Sequence, residues 1–184
     1  MHILAISGSL RASSTNTALV RAAAALAPEG MEITIYDGLG DLPHFSPDLD
    51  DDNSPVTVVN LRRQLQTADG VFICTPEYAF GMPGSLKNAL DWTVSTGDFD
   101  RKPVAAISAS PLFTGGEKAH ASLLLTLKAL NANVVEGGTL TIPSVRKKLN
   151  THGELTDTET TQALRSVLVA LARAIESQSG AQQP

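Results

Sequence analysis

The stretch His2-Ile3-Leu4-Ala5-Ile6-Ser7-Gly8-Ser9-Leu10-Arg11-Ala12-Ser13-Ser14-Thr15-Asn16 opens the chain. A short apolar run ends abruptly in small polar residues, and an alanine-rich helical pattern follows. The order is strand, polar loop, helix N-terminus. The unpaired N–H groups of a first helical turn, backed by the helix dipole, form an anion site. The hydroxyls of Ser9, Ser14 and Thr15, the Asn16 amide and the Arg11 guanidinium add the donors that a phosphate monoester needs. Ser, Thr and Asn are also ordinary helix caps, so capping and phosphate binding both stand at this point. No G-x-G-x-x-G is present, and no Gly-Lys-Ser/Thr follows. A phosphate held here is held mainly by hydroxyls and backbone amides.

The pattern then alternates. A helix is expected over about 15–27, with Ala18, Leu19, Ala22 and Leu26 on one face. Pro28-Glu29-Gly30 stops it, and Met31 to Tyr36 alternates like a strand. Asp37 to Pro55 is long and irregular, which suits either a lid or binding loop or a solvated connection. Its acidic run, Asp48 to Asp52, faces water. A second helix is expected to about Thr67, with Pro55 at its first position after Asn53 or Ser54. Val71 to Thr75 is apolar on both faces, as in the middle of a parallel sheet.

A second polar loop, Pro76 to Gly84, precedes a helix from about Ser85 with Leu86, Ala89, Leu90 and Val94 on one face. Trp92 reads as a packing residue. Gly84 marks the loop–helix junction as crowded. A fourth strand, Pro103 to Ser108, ends in a third small-residue loop, Ala109 to Gly116. A helix bearing Leu123, Leu124, Leu127 and Leu130 leads to a fifth strand, Val134 to Ile142, where Gly137-Gly138 suggests a bulge. The loop with Arg146, Lys147 and Lys148 leads to a last helix over about 156–175. One domain is expected over 1–176, with a polar, frayed tail over 177–184.

Five strands alternating with five helices indicate an α/β, doubly wound parallel sheet with helices on both faces. In such sheets the ligand site lies at the carboxyl ends of the strands. Three of those ends carry the Gly/Ser-rich loops, and their convergence on one rim points to a site.

Composition bounds the function. Of 184 residues, 42% are apolar and 18% charged, which fits a globular chain with a substantial core. Fourteen basic against 19 acidic residues give a net charge of −5, which disfavours nucleic acid as the principal partner. Cys74 stands alone, so no internal disulfide forms, and it reads as a small buried hydrophobe. No secretory leader and no run near the ~18 apolar residues of a membrane span are present, so a cytoplasmic address is expected. His2, His44, His120 and His152 show no metal-ligand spacing, and no metal is expected. No Ser-His-Asp or Cys-His constellation emerges.

Gly8-Ser9-Leu10-Arg11-Ala12-Ser13-Ser14-Thr15-Asn16 resembles the G-S-x-R-x-x-S-x-N phosphate loop of the flavodoxin-like NAD(P)H-dependent FMN reductases. Thr75-Pro76-Glu77-Tyr78, followed by Pro83-Gly84-Ser85-Leu86-Lys87-Asn88-Ala89-Leu90-Asp91-Trp92, resembles that family's second signature. The group also includes quinone and chromate reductases and azoreductase-like proteins. The resemblance implies the strand order 2-1-3-4-5, FMN across the carboxyl rim and NAD(P)H as co-substrate. Ser9, Arg11, Ser14, Thr15 and Asn16 would hold the FMN phosphate. Pro76, Glu77, Tyr78 and Ala79 would line the ribityl chain and ring, with Ser108, Ser110, Gly115 and Gly116 on its other side. Many members have Asn where this chain has Ala79.

No residue is assigned a covalent catalytic role, because hydride transfer needs stacking geometry and no protein nucleophile. Glu77 and Tyr78 take supporting roles, Glu77 by fixing loop conformation. Lys87, Asn88 and Asp91 brace the loop, and Lys87 and Asp91 can pair on the helix surface. The implied second acceptor is free flavin, a quinone, chromate, an azo compound or ferric iron. The alternatives are a flavodoxin-type electron carrier and an FMN-binding redox sensor. A homodimer or homotetramer is implied, without nucleic acid or membrane as partner. The choice of NADPH over NADH stays open, since Arg101-Lys102 and Arg146 to Lys148 suit either a 2′-phosphate or solvent.

Overall fold

The computed structural model describes residues 1–180. Its strands are β1 (His2–Ser7), β2 (Glu32–Tyr36), β3 (Gly70–Thr75), β4 (Pro103–Ala109) and β5 (Asn133–Ile142). They pair in parallel in the order β2-β1-β3-β4-β5. The helices are α1 (Thr15–Ala25), α2 (Val56–Thr67), α3 (Gly84–Asp91), α4 (Glu117–Ala129) and α5 (Thr158–Gly180). The flavodoxin-like order implied by the family resemblance is the order found.

Side-chain alternation along each strand divides the core in two. Leu4, Ile6, Val71, Ile73, Val104 and Ala106 point to one face, where Leu61 and Leu65 of α2, Leu86 and Leu90 of α3 and Leu123 and Leu127 of α4 cover them. Ile3, Ala5, Phe72, Cys74, Ala105 and Ile107 point to the other, under Leu19 and Val20 of α1 and Leu164, Leu168 and Leu171 of α5. The three central strands are therefore buried on both sides, which is why they read as unbroken apolar runs. Their order reverses at β1, whose neighbours are β2 and β3. Crossovers leave that point in opposite directions and open a crevice at the strands' carboxyl ends. In β5 the register slips between the partners of Val104 and Ala106, at the expected Gly137-Gly138 bulge.

The segment 37–55 corrects the expectation of a lid or a solvated connection. Two 3-10 turns, Gly38–Gly40 and Pro47–Leu49, give it shape, and Leu39 and Leu42 sink into the core. The Asn88 side chain grips it twice, donating to the Pro43 carbonyl at 2.9 Å and accepting from the Phe45 N–H at 2.8 Å. Trp92 Nε1 donates to the same carbonyl at 2.8 Å, and the Trp92 ring meets Phe45 edge-on with centroids 5.1 Å apart. Arg62 closes the clamp with an ion pair to Asp50 at 2.6 Å while donating to the Trp92 carbonyl. The Arg62 guanidinium holds the Asp50 carboxyl below its ordinary range. Asn88 thus braces 43–45 rather than the 76–84 loop, a correction to its expected place. Lys87 and Asp91 pair on the surface as expected.

Boundaries shift in two places. Pro55 sits just before α2 rather than inside it. The last helix runs on to Gly180, past the expected end at Ile175, because Ile175 still packs on the core and the following residues keep helical bonds. The frayed tail expected over 177–184 is thus helical over 177–180, and 181–184 lie outside the described residues.

Replacing Asn88 by Ala removes two half-buried hydrogen bonds, for a loss of about 2 kcal/mol. Thermal denaturation is expected to show a Tm lower by about 4–8 °C.

Asp157 caps α5 through Thr160 and pairs with Lys148 at 2.9 Å. Bonds from Thr160 and Lys148 lower its carboxyl from 3.8 to about 2. A depressed acid stabilises the fold above its unfolded value and stops doing so as pH falls through its folded value. Asp157→Asn should therefore flatten the acid limb of a stability–pH curve between those two values, 3.8 and about 2.

Candidate active site

Strand register builds the site. Ser7 lies opposite Cys74, and Thr75 lies opposite Ser108, so β1, β3 and β4 end level and their loops leave side by side. Between the loops lies a cleft of about 190 Å³. Ser9, Arg11, Ser14 and Asn16 line it from the first loop, and Pro76, Glu77 and Tyr78 from the second. Ala109 to Leu112 and Arg146 close the third side. The remaining expected residues are close by but do not line it. Thr15 opens onto a neighbouring pocket, Ala79 stands at a turn tip, and Ser108, Gly115 and Gly116 lie under the third loop.

The first loop caps its helix and leaves main-chain donors free. Ser14 Oγ accepts from the Thr17 N–H at 3.3 Å and caps α1. Ser9 Oγ accepts from the Arg11 N–H at 3.4 Å, and Ser7 Oγ meets Thr17 Oγ1 at 2.8 Å. Asn16 is used internally: its Nδ2 donates to the Ala109 carbonyl at 3.4 Å, and its Oδ1 accepts from the Cys74 thiol at 3.2 Å. That amide ties α1 to β3 and β4 in the buried interior. Burial pushes the Cys74 thiol up, so it is inert as a nucleophile. The N–H groups of Ala12, Ser13, Thr15 and Asn16 donate to no acceptor among the described residues. Arg11 is exposed and has no carboxylate partner there. Free amides, an unpaired guanidinium and a helix N-terminus together fit a phosphate dianion, the end of FMN that needs charge compensation.

The second loop is a tight turn. Tyr78 and Gly81 exchange backbone bonds of 2.9 and 3.0 Å, and Ala79 and Phe80 between them have φ of 47° and 61°. This is the left-handed two-residue geometry that favours Asn and Gly. Ala79 therefore lacks more than a side-chain hydrogen bond: its backbone is strained where Asn would rest easily. Glu77 turns away from any acid–base role. Its Oε2 accepts from the N–H groups of Lys118 and Ala119 at 2.9 and 3.1 Å, capping α4 and locking the second loop to the third.

Ser108 Oγ donates to the Gly115 carbonyl at 2.9 Å and curls the third loop back on β4. Gly115 has φ of 65°, and a Cβ there would come within 3.1 Å of the Ile142 and Pro143 backbone. Gly84, expected to be crowded, is not: a Cβ there meets nothing within 4 Å. The tight approach near β1 is at Gly8, whose Cβ would sit 3.0 Å from Thr75 Oγ1.

The sequence left Arg146 to either a phosphate or solvent. Val145 donates to the Ser110 carbonyl at 3.1 Å and Ser144 to the Leu112 carbonyl at 3.0 Å, which swings the next residue, Arg146, over the cleft. The signal was its position just after the carboxyl end of β5, on the same rim as the other loops. No His, Cys or Lys lines the cleft. The lining combines two guanidinium groups, Arg11 and Arg146, with the hydroxyls of Ser9, Ser14, Tyr78 and Ser110 and the Glu77 carboxylate.

A doubly wound sheet whose carboxyl-end rim gathers free amides and guanidinium groups is a nucleotide-binding architecture. Comparison with known proteins gives the family. The family model described as NADPH-dependent FMN reductase matches residues 1–147. A Pseudomonas aeruginosa protein named NAD(P)H-dependent FMN reductase is 34% identical over 173 residues, covering 93% of each chain. An Escherichia coli protein named quinone reductase is 32% identical over 180 residues, covering 96% of each. Among solved structures, FerB of Paracoccus denitrificans, a flavoenzyme NAD(P)H:(acceptor) oxidoreductase, superposes with a TM-score of 0.86 at 30% identity. That match covers 96% of this chain and 97% of FerB. The chain belongs to the NADPH-dependent FMN reductase family. It is an NAD(P)H-dependent FMN/quinone reductase with FMN as cofactor and NAD(P)H as co-substrate.

Ala79→Asn should relieve left-handed strain worth about 1 kcal/mol. A Tm higher by about 2–4 °C is expected, and an unchanged or lower Tm would count against the strain.

Proposed function

We propose that this enzyme uses NAD(P)H to reduce a quinone by two electrons, through FMN seated across the cleft. When bound, FMN supplies the acceptor and donor of the hydride; the protein supplies position and charge. Ser9, Arg11, Ser14, Thr15 and Asn16 hold the phosphate end, chiefly through Arg11 and the free N–H groups of Thr15 and Asn16. Pro76, Glu77, Tyr78 and Ala79 flank the ring on one side. Ser108, Ser110, Gly115 and Gly116 shape the backbone on the other, so that its N–H groups can offset negative charge at the ring edge.

The observation that carries the reading is the cleft between three level strand ends, lined by hydroxyls, amides and Arg11 but by no His, Cys or Lys. Tyr78, Phe80, Leu112 and Phe113 stand exposed around this rim and offer a planar apolar acceptor a contact surface. That favours a planar acceptor, a quinone, free flavin or azo compound, over chromate or ferric iron. The relatives named quinone reductase support the same choice. Such exposed apolar side chains also suit burial in a homodimer or homotetramer, which this reading includes, with the cytoplasm as its compartment. Among the described residues no helix is long and apolar enough to cross a membrane.

The test is an anaerobic visible spectrum of the FMN-loaded protein. NADPH should bleach the flavin bands, and a benzoquinone should restore them faster than chromate or ferric citrate. Bleaching by neither nicotinamide would favour a carrier or sensor. Arg11→Ala should raise the FMN Kd about tenfold or more, the loss of one charge-assisted bond, with an unchanged far-UV spectrum. An unchanged Kd would remove Arg11 from the phosphate site.

A further inference from the structure

Helix α4 begins without a cap of its own. Gly116, at its cap position, has φ of 83° and no side chain to offer. Glu77 does the capping from another loop, accepting from the N–H groups of Lys118 and Ala119. The next N–H, that of His120, closes the turn on the Gly116 carbonyl at 3.0 Å. One helical turn therefore joins the second loop, through Glu77, to the third, through Gly116. The junction is tight: a Cβ on Gly116 would lie 3.4 Å from the Ser108 Cβ and 3.5 Å from the Glu77 Cβ.

His120 ends this turn and does not line the cleft. Its side chain falls on the buried face of α4 with Ala119, Leu123 and Leu127, and the residue is 7% exposed. Its Nδ1 is buried with no hydrogen-bond partner among the described residues. No free countercharge stands ready for an imidazolium. α4 packs on β4, which carries no charged residue, and on β5, whose only one, Glu136, is exposed. The third loop, 109–116, has none. On α3, which shares the core with α4, Lys87 and Asp91 pair with each other on the surface. On α4 itself, Glu117 and Lys118 are exposed and pair at 3.4 Å. Glu77 is spent on the two amides. Burial alone thus holds the imidazole below its ordinary 6.5. The amino end of a helix also repels a cation.

We propose that neutral His120 is a positioning residue of the reductase site: it keeps the Glu77 cap closed, and its protonation opens the first turn of α4 and frees the second loop from the third. The effect on turnover rests on the reductase reading above; the effect on the turn does not. A buried cation without a partner is relieved only by opening the turn to water or by drawing the Glu77 carboxylate to itself. Either way Lys118 and Ala119 lose their acceptor. In the opened turn His120 regains its ordinary affinity for a proton, so opening takes one up. The closed turn keeps its full stability above pH 6.5 and loses it as pH falls from there towards the folded value, by up to about tenfold in the opening equilibrium per pH unit.

The test is a pH series on the FMN-loaded protein, with the His120 ring and the Lys118 and Ala119 amides followed by heteronuclear NMR. The ring should titrate below 6.5, and both amide signals should shift with the same midpoint. Measured against His120→Gln at the same pH, hydrogen exchange at those amides should be faster in the wild type by about threefold or more at about pH 5.5. The rate of flavin reduction by NADPH should fall with that midpoint in the wild type and not in His120→Gln. A ring that titrates at 6.5 or above overturns the proposal, and so does a ring titration that leaves the two amides unmoved. The wild-type titration decides this even where the variant does not fold. An acid limb of flavin reduction that persists in His120→Gln overturns the positioning role. Reduction by neither nicotinamide at any pH would refute the reductase reading instead, while the amides would still report on the turn.

Discussion

The level ending of β1, β3 and β4 is the constraint on which the rest of the structure depends. Parallel pairing sets Ser7 beside Cys74 and Thr75 beside Ser108, so three chemically different loops leave the sheet within reach of one ligand. The pairing is enforced from both faces. A slip of one residue would exchange Ile3 and Ala5 with Leu4 and Ile6 between two separate cores, a penalty spread over every strand. The site inherits its precision from the cost of that slip.

Most polar side chains of the rim are already engaged within the protein. Ser14 caps α1, Asn16 joins β3 to β4, Glu77 caps α4, Ser108 folds the third loop and Ser110 accepts from the Leu112 N–H. What they leave free is the main chain, whose N–H groups at 12, 13, 15 and 16 point to no protein acceptor among the described residues. Donors on a backbone held by so many side chains lose little freedom when a phosphate arrives, which favours binding without new folding. Arg11 supplies the full charge that these dipoles lack.

The sequence made the fold legible because its periodicities were uncontradicted. Apolar runs at β3 and β4, the glycine pair in β5 and the three small-residue loops each kept to one structural reading. The site was legible as a set of positions and less so as a set of roles. The sequence offers Asn16 as a donor to a phosphate, but only the folded chain shows Cys74 and Ala109 claiming its amide, partners 58 and 93 residues away. The 37–55 segment escaped for the same reason. Its polarity and prolines suit a solvated loop, whereas its fixity comes from Asn88, Trp92 and Arg62, far along the chain. Gly84 misled in the opposite sense, since a glycine before a helix says nothing of the space around it.

The turn at Tyr78 to Gly81 closes on itself through two backbone bonds, and its tip carries Phe80, 80% exposed at the rim. The tip is thus anchored at its base while its outermost side chain contacts little of the protein. The Phe80 side chain can therefore be substituted without disturbing the first loop or the Glu77 cap. Under the proposed reading of the site, substitutions at this tip would change what meets an acceptor and leave the first loop's free donors where they are.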